Sequence, residues 1–165
     1  MTDLPQFVMD RHFDAPPQVV WRTWTEKELF ARWYGPGAET VIGRFDACAG
    51  GGWQLEMRMG ARVGHQRAEF TVFEPPARLT FLQYVLDADG NVASDPNNPD
   101  WPRRLLTEVT LTHADGGTDL RLVWTPHQCS EAEIACFAQS IGWLGKGWGA
   151  GMDVLATILE ELAAA

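Results

Sequence analysis

From Ser130 to the C-terminus, apolar residues return at Ile134, Phe137, Ile141, Leu144, Trp148, Met152, Leu155, Leu159 and Leu162. Spacing by threes and fours predicts one long amphipathic helix. At about 1.5 Å per residue it would run roughly 45 to 50 Å. Such a helix cannot cover its own apolar stripe, and the rest of the chain reads mostly as strands. A wide curved sheet is therefore the surface that must bury it, and the expected product is a sheet gripping a helix.

The segments ahead of the helix supply that sheet. Phe7, Met9 and the residues to Phe13 alternate as a first strand, which Ala15-Pro16-Pro17 stops, and Pro17 suits the first position of a helix. Residues 19–24 then read as a short helix. A second starts behind Thr25, with Glu28 completing a capping-box pattern, and ends at Trp33-Tyr34-Gly35-Pro36. Alternation marks further strands over 41–45, 53–59, 65–74, 79–86, 104–113 and 118–125, joined by turns at 74–78 and 114–117. They follow one another as an antiparallel sheet. Residues 87–103 form a polar insertion rich in Asp, Asn and Pro, long enough to predict a lid or a homodimer contact anchored by Trp101. With no repeat or linker, residues 1–165 read as one α+β domain, with two short helices after the first strand.

Charge narrows the partners. Thirteen Lys and Arg stand against 22 Asp and Glu, a formal net charge of -9, which repels phosphate backbones and anionic lipid surfaces and excludes nucleic acid. The first residues lack a basic start followed by an apolar stretch, and no run approaches the roughly 18 apolar residues of a membrane span. The expected location is the cytoplasm, without membrane insertion. Cys129 and Cys136, seven apart on a helix, are separated by about 10 Å of rise, too far for a disulfide.

Motifs for cofactor or metal chemistry fail on context. Gly145-Lys146-Gly147-Trp148-Gly149-Ala150 matches a dinucleotide pattern, yet the helical spacing runs straight through it and no strand precedes it. Asp87, Asp89 and Asn91 resemble the start of a calcium loop, but Gly90 and Asn98 stand at the wrong positions. His12, His65, His113 and His127 lack metal-ligand spacing. Neither cofactor nor metal is expected. No nucleophile elbow accompanies Ser94, Ser130 or Ser140. Were the protein an enzyme, His65, Glu69 and His127 would be its candidate acids and bases, with Arg67 beside them. The competing reading makes Glu56, Arg58, Arg67, Glu69 and Glu108 a solvated sheet face with cross-strand ion pairs.

Eight tryptophans exceed what a core of this size needs. Aromatic walls with adaptable methionines are what small-molecule pockets use. The expected lining is Trp33, Trp53, Met57, Phe70, Phe81, Trp124, Trp148 and Met152.

Several of these segments also resemble the START-like (SRPBCC) superfamily, and within it the domain family named after the activator of heat shock protein 90 ATPase. The resemblance is carried by Phe13-Asp14-Ala15-Pro16, Val20-Trp21-Arg22-Thr23-Trp24-Thr25, Ala31-Arg32-Trp33-Tyr34-Gly35-Pro36, Ala49-Gly50-Gly51-Gly52-Trp53, Phe73-Glu74-Pro75-Pro76-Ala77-Arg78-Leu79, Trp124-Thr125-Pro126-His127 and Gly147-Trp148. It spans nearly the whole chain and implies a helix-grip fold with a hydrophobic cavity between sheet and helix. It further implies a binding module for a small apolar or amphipathic molecule. The alternatives it offers are a cavity enzyme of cyclase, dehydratase or hydrolase type, and a chaperone-associated protein that stimulates a heat shock protein ATPase. The namesake's separate N-terminal chaperone-binding domain has no counterpart in this sequence, which weighs against a chaperone partner.

Overall fold

The computed structural model describes residues 3–165. Strand β1 (Phe7–Phe13) leads into helices α1 (Pro17–Thr25) and α2 (Lys27–Trp33). Six strands follow: β2 (Glu39–Asp46), β3 (Gly52–Met59), β4 (Arg62–Glu74), β5 (Arg78–Leu86), β6 (Arg104–Ala114) and β7 (Gly117–Pro126). Helix α3 (Glu131–Ala164) closes the chain. This is the expected helix-grip architecture. Among the described residues, no helix is long and apolar enough to cross a membrane.

All pairings are antiparallel, in the order β1-β7-β6-β5-β4-β3-β2. The run from β2 to β7 is consecutive as expected, but β1 pairs with β7. Chain neighbours β1 and β2 therefore lie on opposite edges, and α1 and α2 carry the chain between them, α1 packing on β6 and β7 and α2 on β2 and α3.

The expected capping box at Thr25 does not form. Thr25 is still the last residue of α1 and its hydroxyl donates to the Trp21 carbonyl at 2.9 Å, so Glu26 starts α2 without a side-chain cap. A complete box instead begins α3. Ser130 Oγ accepts the Glu133 N–H at 3.2 Å, and Glu133 Oε1 accepts the Ser130 N–H at 3.0 Å. The other Glu133 oxygen accepts the Arg103 N–H at 2.8 Å, tying the end of the 87–103 segment to the start of the helix.

Helix α3 runs unbroken through the Gly145–Ala150 motif. Phe137, Leu144, Met152, Leu155 and Leu159 are buried on the expected stripe, Ile158 joins them, and Ile134, Ile141, Trp148 and Leu162 are half-buried. Of the helix glycines, the one that packs closely is Gly151, against Trp33. A Cβ at Gly142, Gly147 or Gly149 would meet nothing within 4 Å.

The 87–103 segment is built from local turns. Asp87 Oδ1 accepts the N–H groups of Asp89 and Asn91, and Asp95 Oδ1 that of Asn97, so these carboxylates brace their own loop. Trp101 anchors it against Trp124 and Phe137, with ring centroids 6.0 and 5.8 Å away.

Two predictions follow from the helix. Burial alone would raise the Glu133 pKa, but the N–H groups of Ser130 and Arg103 and the Arg103 guanidinium outweigh it and hold the carboxyl below its usual value. A lowered folded-state value adds stability above the unfolded-state pKa that disappears as pH falls through the folded one. Glu133→Gln should cost about 1–3 kcal/mol at pH 7, and the loss should shrink as urea melts are repeated below about pH 4. Conversely, Gly142→Ala and Gly149→Ala should each stabilise by up to about 1 kcal/mol, seen as a higher urea midpoint at unchanged slope.

Candidate pocket beneath the C-terminal helix

Between the middle of α3 and the inner face of the sheet lies a cavity of about 280 Å³, just below the range of about 300–1,000 Å³ typical of small-molecule sites. One wall is the end of α2 and the turn after it, Trp33 to Pro36. The sheet supplies Met57, Gln66, Gln83, Val85, Leu105 and Trp124. The 87–103 segment adds Trp101 and Pro102, and α3 closes the roof with Trp143, Leu144, Gly147, Trp148 and Gly151. Pro36, Trp143 and Gly147 are exposed and form its mouth.

Strand pleat decides which side chains enter. Trp53 pairs with Ala68, Leu55 with Gln66, Gln66 with Val85 and Gln83 with Leu105, so these positions share the inner face. Even-numbered residues of β4 from Gln66 to Phe70 point inward; His65, Arg67 and Glu69 therefore point outward. On that outer face Arg67 lies over the Tyr84 ring at 4.9 Å, and Glu69 meets Arg67 at 3.6 Å and the Tyr84 hydroxyl at 3.4 Å. This is the outer face of the competing reading, although its ion pair joins residues two apart on β4 and not partners across strands. His127 lies beyond β7, half-buried, with its backbone N–H on the Arg104 carbonyl. None of His65, Arg67, Glu69 or His127 lines the pocket.

Of the eight residues expected to line a cavity, Trp33, Met57, Trp124 and Trp148 meet around this one. Trp53, Phe70, Phe81 and Met152 lie in the packed core instead. Phe30 and Tyr34 cover Trp53, with ring centroids at 5.4 and 5.5 Å, and Phe70 and Phe81 pack on each other at 6.0 Å. Met152 is fully buried one turn beyond Trp148. Gly35 makes room for Met57: its φ is +73°, and a Cβ there would overlap Met57 Cε.

Two pocket indoles are locked by hydrogen bonds. Trp33 Nε1 donates to the Thr23 carbonyl and Trp124 Nε1 to Thr107 Oγ1, both at 2.7 Å. Trp148 stands nearly perpendicular to Trp124, centroids 5.2 Å apart.

The pocket floor is polar. Gln83 Nε2 donates to the Tyr34 hydroxyl at 2.8 Å and to Gln66 Oε1 at 2.7 Å, while Tyr34 donates to the same Gln66 oxygen at 3.0 Å. Gln66 Nε2 donates to Met57 Sδ at 3.2 Å, and the Thr107 hydroxyl reaches Gln83 Oε1 at 3.5 Å. Burial raises the Tyr34 pKa far above that of an ordinary phenol, against a smaller lowering by Gln83, so its hydroxyl stays protonated. Sequence reasoning did not assign Tyr34, Gln66 or Gln83 to the site. The available signal was parity, since Gln66 shares the face of Phe70 and Gln83 that of Phe81, and polar residues on an inward face need a partner.

Tyr34→Phe should cost about 1–2 kcal/mol in chemical denaturation, because Gln83 loses an acceptor and Gln66 a donor while the ring packing stays.

The sequence model of the activator of Hsp90 ATPase homolog 1-like protein family matches residues 14–160. Comparison with curated proteins gives no match. Solved structures share the fold. A protein from Arthrobacter aurescens is 19% identical over 98% of this chain and 90% of its own, with a TM-score of 0.79. Protein Ms6760 from Mycobacterium smegmatis is 20% identical over 96% of both chains, with a TM-score of 0.77. A Staphylococcus epidermidis protein is 21% identical over 98% of this chain and 93% of its own, also at 0.77.

Proposed function

The chain belongs to the activator of Hsp90 ATPase homolog 1-like protein family, and on that premise we propose that it is a binding module for a small apolar or amphipathic molecule held beneath α3, with the cytoplasm as its place of work. The observation that carries this reading is a pocket walled by Trp33, Trp124, Trp148, Met57 and Leu105, with no Asp, Glu, Lys, Arg or His in its lining. Burying apolar surface there is favourable by about 25 cal/mol per Å². An unfilled cavity of this kind lowers stability, and a bound molecule offsets that loss. Catalysis by His65, Glu69 or His127 draws no support from side chains that stand outside the pocket. The family description names an ATPase activator; the pocket favours ligand binding over that role.

Native mass spectrometry of the purified protein should detect an apolar molecule retained by the wild type and lost from Val85→Phe, which fills the space from the sheet side. Naphthalene should shift the tryptophan emission of the ligand-free wild type but not of the variant. Silence of the wild type in both measurements would refute the proposal.

A further inference from the structure

We infer, resting on the reading of the pocket as a binding site, that its ligand is uncharged and places one hydrogen-bond acceptor oxygen against the Gln66 side-chain amide. The argument is a count of donors and lone pairs at the floor. Gln66 Oε1 already accepts two hydrogen bonds, from Tyr34 and from Gln83. The Tyr34 hydroxyl spends its one hydrogen on Gln66 and accepts from Gln83. Gln83 commits both amide hydrogens to these partners and turns its oxygen toward Thr107, a wholly buried residue outside the lining. The least satisfied donor of the three is Gln66 Nε2, with two hydrogens. Its one partner among the described residues is the Met57 thioether, a weak acceptor.

The indole N–H groups of Trp33 and Trp124 are spent on Thr23 and Thr107. Those of Trp101, Trp143 and Trp148 have no hydrogen-bond partner among the described residues, and all three side chains line the pocket. The floor therefore offers the Gln66 amide as its least satisfied donor, and a carbonyl or ether oxygen is the group that completes it.

Charge selects further. With no ionised side chain in the lining and Tyr34 held neutral, an anion or cation would lose its hydration without a counter-charge. The overall charge of -9 adds repulsion against anions. Cations are attracted by the net charge and by tryptophan faces, but the free N–H of Gln66 points a positive dipole at them.

Four probes with one naphthalene body test this: 2-acetylnaphthalene, 2-ethylnaphthalene, 2-naphthoate and 2-naphthyltrimethylammonium, each measured by equilibrium dialysis against wild type and Gln66→Met. The ketone should bind wild type about tenfold more tightly than the ethyl compound, and more tightly than either ion. In Gln66→Met, which keeps chain length and removes the amide, ketone and ethyl compound should bind equally. Equal binding of the two in wild type overturns the acceptor assignment while leaving the pocket reading in place. Carboxylate or ammonium binding as tight as the ketone overturns the neutrality. A ketone preference that survives in Gln66→Met removes Gln66 from the role. Retention of none of the four refutes the pocket reading itself, and this inference with it.

Discussion

Helix α3 packs closely on the end of α2 at Gly151, where a side chain has little room. A Cβ there would sit 3.3 Å from the Trp33 carbonyl oxygen, 3.5 Å from the Trp33 ring and 3.8 Å from Pro36, so larger side chains would push the helix off the end of α2. Trp33 itself is fixed from below by its bond to Thr23 and by Trp24, whose ring centroid lies 4.6 Å away. Toward the C-terminus of this contact, Met152, Leu155, Ile158 and Leu159 are buried and the packing is continuous. Toward the N-terminus, Leu144 and Trp148 meet the sheet across the cavity instead. One small residue thus divides the helix into a part that holds the fold and a part that roofs a pocket.

That division matches the distribution of glycines. Gly142, Gly147 and Gly149 carry no packing constraint, and in a helix each gives up about 1 kcal/mol relative to Ala. They are concentrated where the helix covers space, while the stretch from Met152 to Ala165 contains none. The roof is therefore intrinsically weaker than the anchor. The capping box of Ser130 and Glu133 supports its far end, and through Arg103 also fixes the loop that brings Trp101 to the pocket.

Much of this was legible in the sequence, because burial imposes periods. The spacing of α3, the alternation of the six later strands and the Pro-rich turns all reflect one face turned inward, and the resemblance to a known family rests on those same segments. Parity also contained the outward placement of His65, Arg67 and Glu69, since residues of β4 that alternate with Gln66 and Phe70 cannot share their face. What local pattern could not supply was which inward aromatics would be packed and which would border space. Trp53 and Trp124 have the same parity and chemistry; Phe30 and Tyr34, brought from a helix, cover the first and leave the second open. Nor could the Thr25–Glu28 pattern show that the Thr25 hydroxyl is already spent on the helix before it.

The polar floor is the place where local preference and fold stability part company. Two glutamines on an inward sheet face and the hydroxyl of Tyr34 at the end of α2 carry a desolvation cost that apolar residues of equal volume would avoid. Their mutual bonds offset part of it: of the six donor and acceptor groups of the triad, four are paired with one another at 2.7 to 3.0 Å. On one side the network continues through the Thr107 hydroxyl to the Trp124 N–H. On the other it ends on a thioether at the cavity edge. A partly satisfied polar group beside open space is costly to the empty protein and useful to a filled one, and it is this imbalance, more than the size of the pocket, that gives the site a chemical preference.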